Sequence, residues 1–363
     1  MQGLELSRRF YFEAVRPILD RRFPTLEHAA ALIGSGSEVL GYDDDVSTDH
    51  HWGPRVQLFL RDLDVAPELD RTLSHELPAE FAGFPTNFGP PDEIGVRLLT
   101  PVESGPVAHR VEALVLRDFL LNGWGFDPRD GLTVADWLAT PTQRLLELTA
   151  GDVFVDQIGH LTEVRDLLAW YPHDVWLLVM AGHWRRIAQA EHLHGRAGIV
   201  GDELGSRLLA ASLVRDLMRL GFLQRREYPP YAKWLGTAYA GLELEEEDAL
   251  RAALVAPDWR SREDALVSAC ESVARRHNDL EVTELVEPTA RPFWGRPIRV
   301  LFADRFVDAL RAAVTDPDLK AIEHKAGSVD AVSDNTDLLA RLATWRQLRG
   351  LWSGEESAPR TYK

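Results

Sequence analysis

Between Gly34 and His51 the chain gathers residue types that handle phosphate and metal. Gly34, Ser35, Gly36 and Ser37 close the apolar run His28–Ile33. Small residues at a strand end let backbone N–H groups come close to a phosphate. Asp43, Asp45 and Asp49 follow, and His51 stands two positions after Asp49, ahead of the extended run that starts at Arg55. Side chains two apart on a strand share a face, so a pair at that spacing can meet one cation. Transfer of a nucleotide needs Mg²⁺ on the triphosphate, held by a few carboxylates and the phosphate oxygens. Asp43 and Asp45 have the same spacing but lie nearer the glycines, in what reads as loop. A Gly-Ser turn alone is more often only a turn. No Gly-Lys-Ser/Thr follows it, and Gly34, Gly36 and Gly41 miss the dinucleotide-binding spacing.

The elements that must position these residues read as α+β. "LSRRFYFEAVRPILDRRFP" predicts a helix with Ser7 as its N-cap and an apolar stripe of Tyr11, Ala14, Val15, Ile18 and Leu19, stopped by Pro24. "HAAALI" predicts a buried strand and "RVQLFLRD" a second, with a polar helix or loop over "VAPELDRTLSHELPAEFAG". "VRLLTP" and "HRVEALVLRDFL" supply one or two more strands. From "GLTVADW" onward helical periodicity takes over, in apolar, aromatic-rich helices joined by short polar breaks. The expected division is a mixed sheet with helices over 1–128, a larger helical bundle over 129–352 and a polar tail over 353–363.

A Gly-Ser pair ending a strand, then ten to thirteen residues, then Asp-x-Asp leading into a strand, is the fingerprint of the nucleotidyltransferase superfamily typified by DNA polymerase beta. The segment "GSGSEVLGYDDDVSTDHHWGPRV" resembles the bacterial DUF4037 family of nucleotidyltransferase-like proteins, a domain of unknown function. "DWLATPTQRLLELTAGDVFVD", "LLAWYPHDVW" and "YPPYAKWL" continue the resemblance over most of the chain. The family is similar to kanamycin-type nucleotidyltransferases. That implies an N-terminal nucleotidyltransferase-type sheet holding metal and nucleotide, and a helical domain closing the substrate cleft. The change of pattern near Pro128 is independent support for two parts.

Carried over residue by residue, Gly34 and Ser35, with Ser37 in the same turn, match the positions that hold nucleotide phosphates. Asp49 matches the first metal carboxylate, and the second falls on His51. Imidazole is a poor Mg²⁺ ligand and a good one for Zn²⁺, Mn²⁺ or Ni²⁺. Glu112, on the strand "HRVEALVL", is the candidate third carboxylate, as general base or metal ligand; an outward-facing strand residue is an equal reading. The implied cofactor is a divalent metal, Mg²⁺ or Mn²⁺, or another transition metal because of His51. The implied partners are an NTP, ATP first, and a small acceptor whose hydroxyl receives the NMP. His51 leaves three readings open: an enzyme with a different metal, a weak enzyme, or a degenerate sensor or interaction protein that binds nucleotide without reacting.

"YPPYAKW" sets Lys233 among Tyr228, Tyr231 and Trp234, beside Arg225 and Arg226, and on the family's pattern Lys233 meets the phosphates; a Pro-marked helix start is the plain alternative. His192 and His194 lie two apart on a helix end and diverge, so a metal site there is a poor reading. "GDELG" reads as a helix entry capped by Asp202. "AGSVDAVSDNTDLL" repeats the Gly-Ser and Asp theme at Gly327, Ser328, Asp330 and Asp334 with no strand before it, and reads as a capped helix entry. The single cysteine, Cys270, falls at helical spacing with apolar neighbours and reads as buried; one cysteine rules out an intrachain disulfide and a cysteine-rich zinc site. The formal charge of −17 and the lack of a Lys/Arg block argue against nucleic acid and favour a small or cationic substrate. No run nears the ~20 apolar residues of a membrane span, and the N-terminal residues lack a signal-peptide core. The expectation is a cytoplasmic protein.

Overall fold

The computed structural model describes residues 1–44, 46, 52–93, 95–322 and 326–352. The chain divides into two compact units, one of Met1–Gly131 with Arg144–Ala169, the other of Leu132–Gln143 with Trp170–Lys363.

The first unit opens with α1 (Gly3–Phe10), which passes through a π-helical segment (Tyr11–Val15) into α2 (Arg16–Arg22). A π turn takes in an extra residue and rotates the buried stripe, so Leu6 and Phe10 are followed inward by Tyr11, Ala14 and Val15, then Ile18 and Leu19. The helix starts four residues before Ser7, with Gln2 at its N-cap. Ser7 is buried inside α1, its hydroxyl 3.5 Å from the Gly53 carbonyl, and is not the cap the sequence predicts.

β1 (Ala29–Leu32) and β2 (Arg55–Leu60) follow, then α3 (Ala66–Glu76), a small hairpin of β3 (Glu80–Phe81) and β4 (Phe84–Pro85), β5 (Arg110–Val115) and α4 (Leu116–Gly123). α5 (Val134–Ala139) belongs to the second unit. α6 (Thr142–Thr149) leads to β6 (Asp152–Asp156) and α7 (His160–Leu167). The four-stranded sheet has the order β5-β2-β1-β6. β1 is antiparallel to both neighbours, and β2 runs parallel to β5 in the register Gln57↔Glu112. β1 is nearly all alanine, yet it is central and fully buried. Ala30, Leu32, Val56, Leu58, Val111 and Phe154 face the core under α1, α2 and α3. Strand alternation then sends Arg55, Gln57, Phe59, Arg110 and Glu112 to the other face.

Two strand expectations change. "VRLLTP" forms no strand and contributes one bridge, Phe88↔Leu99. The fourth strand comes from "DVFVD", at Asp152–Asp156, inside a stretch with helical pattern on both sides. A five-residue strand is too short to outweigh its flanking periodicity.

The second unit is helical, around α8 (His173–Ala190), α9 (Leu193–Ile199), α10 (Glu203–Arg225), α11 (Leu235–Ala240), α12 (Glu247–Val255), α13 (Trp259–Asp279) and, after a hairpin of β7 (Arg291–Pro292) and β8 (Arg299–Val300), α14 (Asp304–Ala313). α8 packs on α10 and α14, and α10 on α9, α12 and α13. Trp176 Nε1 donates to the Leu223 carbonyl at 2.8 Å, and Trp184 stacks on Phe306 with centroids 4.4 Å apart. Cys270 is buried and its thiol is pushed far up by burial. Asp202 caps α10 as expected, accepting from Gly205 N–H at 2.8 Å. The protein is α+β, a mixed sheet with helices and a larger helical region. No helix among the described residues is long and apolar enough to cross a membrane.

Candidate functional site

β1 ends where Gly34 begins the turn. The antiparallel register with β2 sets that end level with the entry to β2 at Arg55. Gly34 has φ +101° and Gly36 φ +143°, values that suit glycine. At Gly36 a Cβ would lie 2.5 Å from Glu38 Oε2, so the turn closes directly over that carboxylate. Glu38 is buried and forms an ion pair with Arg55, whose Nη2 also lies 3.4 Å from the Ser35 carbonyl. The Arg55 Nε is buried and finds no partner among the described residues. A turn backed by a guanidinium with an unspent donor suits an anion.

The donors of this turn are fewer than the sequence suggests. Gly34 N–H is committed to the Glu147 carbonyl at 2.7 Å. Ser37 carbonyl accepts from Tyr42 N–H at 3.0 Å and closes the loop on itself. Ser35 is exposed and Gly36 and Ser37 are half-buried. Neither Ser35 nor Gly36 gives its N–H to another described residue. Gly34 therefore shapes the turn, and Ser35 and Gly36 keep N–H groups that no described residue accepts.

Asp43, read as loop, is an anchor. Its Oδ2 accepts from Gly3 N–H at 2.7 Å and from Trp52 Nε1 at 2.9 Å. A carboxylate on the first N–H of a helix meets both an orphan donor and the positive end of the dipole. Its other oxygen is buried without a partner among the described residues. Asp45, Asp49 and His51 lie outside the described residues.

Glu112 sits on β5 beside Gln57 of β2. Its Oε1 accepts from Arg110 Nη2 at 2.6 Å, and its side chain is about two-fifths exposed. Gln57 Oε1 in turn accepts from Ile33 N–H at 2.9 Å, just before the turn. Gly34, Ser35, Ser37, Arg55, Gln57 and Glu112 thus belong to one end and one face of the sheet. Glu112 already answers a guanidinium there, and no three His, Cys, Asp or Glu side chains gather for a metal among the described residues. The described donors do not by themselves make a metal site. Lys233 belongs to the helical unit, exposed, its ammonium 4.7 Å from the Trp234 ring centre. His192 stacks on Phe293 and His194 is buried, so the pair diverges as expected.

With this geometry in hand, the sequence profile described as Domain of unknown function (DUF4037) matches residues 137–235. The matched stretch holds Lys233 and leaves out the turn at Gly34. No curated protein matches the chain. A solved nucleotidyltransferase-like protein from Exiguobacterium sibiricum 255-15 aligns over 86% of this chain and 89% of its own, at 13% identity and a TM-score of 0.28.

Arg55, Glu38 and Asp43 carry the turn, and sequence reasoning assigned them no role. A charged residue directly opening a buried strand, as Arg55 does, was the available signal. It asks for a buried counter-charge.

Proposed function

We propose that the protein binds a nucleoside triphosphate at the Gly34–Ser37 turn and transfers its nucleoside monophosphate to a hydroxyl of a small acceptor, with a cationic acceptor fitting the −17 charge. The observation that carries this reading is the register of β1 and β2. It sets the Gly-Ser turn beside the strand entry that follows Asp49-x-His51, over Arg55, whose buried Nε has no partner among the described residues. Ser35 and Gly36 N–H and Arg55 would hold phosphate oxygens. A divalent cation on Asp49 and His51 would neutralise charge on the triphosphate. In the transfer the acceptor oxygen bonds to the α-phosphorus, the bond to the bridging oxygen breaks and pyrophosphate leaves. Glu112, oriented by Arg110, takes the hydroxyl proton.

A second reading is nucleotide binding without transfer, as a sensor or interaction protein. It is favoured by His51 at the second ligand position and by the commitment of Glu112 to Arg110. Thermal shifts with ATP, GTP, CTP and UTP, each with Mg²⁺, Mn²⁺ or Zn²⁺, test the binding common to both. A ligand at 100 times its Kd stabilises by about 2.7 kcal/mol. Pyrophosphate release in the presence of aminoglycoside and polyamine acceptors separates the two readings. If His51→Asp creates turnover that the native chain lacks, the native chain is the binder.

A further inference from the structure

At the far end of the same sheet, about 16 Å along the strands from the Gly34 turn, lies a cavity of about 300 Å³. β1 begins there at Ala29, β2 and β5 end there at Leu60 and Val115, and β6 ends at Asp156. β2 and β5 are parallel, so their carboxyl ends open together, a usual place for ligands in sheets with helices. Its apolar wall is made by Phe59, Leu116 and Leu161, each buried. Its polar lining residues are Arg61, Arg117, Arg129 and His160, with one acid, Asp156.

That carboxylate is already spent. Asp156 accepts from Gly159 N–H at 2.7 Å and from Thr162 N–H and hydroxyl at 2.8 and 2.9 Å, capping the turn into α7. The arginines are held by acids outside the lining. Arg129 uses its Nε and Nη2 on Asp127, whose side chain is buried. Arg117 reaches Asp130 at 2.8 Å with half its surface in solvent, and Arg61 uses its Nε and Nη2 on Glu27. The Arg117–Asp130 and Arg61–Glu27 pairs are exposed and hold weakly, so those guanidiniums can turn to an incoming anion, while Arg129 stays on the buried Asp127.

We propose that this cavity is a second small-molecule site, for an amphipathic carboxylate with an apolar or aromatic body of roughly ten non-hydrogen atoms. The body rests on Phe59, Leu116 and Leu161, and the carboxylate meets Arg117 in the paired geometry that guanidinium favours.

The test titrates the full chain with 4-phenylbutyrate and, separately, with neutral 4-phenylbutanamide, read by thermal shift and calorimetry. The site predicts binding of the acid, with the amide at least tenfold weaker. Arg117→Gln should weaken the acid about tenfold and leave the amide unchanged. Ile158→Trp, which fills the cavity from a half-buried lining position, should abolish both; Leu116→Trp repeats that experiment from the other wall. Saturating ATP should not compete. No binding at millimolar acid, equal binding of acid and amide, binding that survives both tryptophans, or competition by ATP would each overturn the proposal.

Discussion

Gly34-Ser35 and Gly327-Ser328 begin two stretches of like composition, small residues followed by aspartates, one in each unit. In the first, Ser35 stands in solvent and no described residue accepts the N–H groups of Ser35 and Gly36, beside the Arg55–Glu38 pair. In the second, the polar groups turn in. Gly327 lies so close to Gly182 of α8 that a Cβ on Gly182 would sit 2.6 Å from its Cα, and Trp352 Nε1 donates to its carbonyl at 2.7 Å. Asp330 is buried and accepts from Thr142 N–H at 2.9 Å, while Arg219 and Arg186 bond the carbonyls of Asp330 and Ala331 at 2.9 Å each. Burial pushes the Asp330 carboxyl up from its ordinary range. The same residue types make a strap in one unit and an open turn in the other. What separates them is whether their polar groups are met by partners in their own unit.

Acid should affect the unit that holds the strap most strongly. Burial holds His183, His194 and His277, all in the helical unit, neutral, at about 3, 4 and 4. A lowered pKa on a base contributes stability above the unfolded value near 6.5, and that contribution is lost as pH falls below it. Each should cost about 2 kcal/mol at pH 5. Glu191 acts the other way: burial raises it to about 7, so it is relieved as pH falls and returns about 2 kcal/mol. The histidine loss should appear in hydrogen exchange at pH 5 as lost protection in α8, α10 and α13 before β1 and β2.

The glycines themselves come next. Gly327→Ala adds a Cβ 2.8 Å from the Gly182 Cα at φ +71°, and should cost about 3 kcal/mol in urea unfolding. Gly34→Ala meets open space and carries only backbone strain, about 1 kcal/mol. Equal losses would break the distinction between strap and turn. Asp43→Ala removes the bonds from Gly3 N–H of the N-terminal helix and from Trp52 Nε1, and should cost about 1–2 kcal/mol, read by urea unfolding. Ser35→Ala, exposed and at the open turn, keeps the backbone N–H and should stay within about 0.5 kcal/mol of the native protein and leave ATP affinity unchanged.

Much of this was legible where residues repeat at one period. The alanine strand at Ala29–Leu32, the runs at Arg55–Leu60 and Arg110–Val115, and the long helices all carry their pattern locally. The capping role of Asp202 is equally local. The partners of Asp43 and Glu38 are not, because Gly3 is 40 positions away and Arg55 is 17. Pairing at that distance depends on the turn bringing strands together, which no window of sequence contains. The short strand at Asp152–Asp156 was hidden for the opposite reason, a weak local signal between two strong helical ones. For the candidate site, the turn was legible from residue type, while the commitment of Gly34 N–H to Glu147 was visible only in three dimensions.

Calorimetric titration of ATP with Mg²⁺ or Mn²⁺ into the native protein and into Asp49→Asn tests the central claim most directly. The account predicts saturable, metal-dependent binding to the native chain, at least tenfold weaker binding to Asp49→Asn, and the same melting temperature for both free proteins. Absence of binding with either metal, or the same affinity in Asp49→Asn, would contradict it.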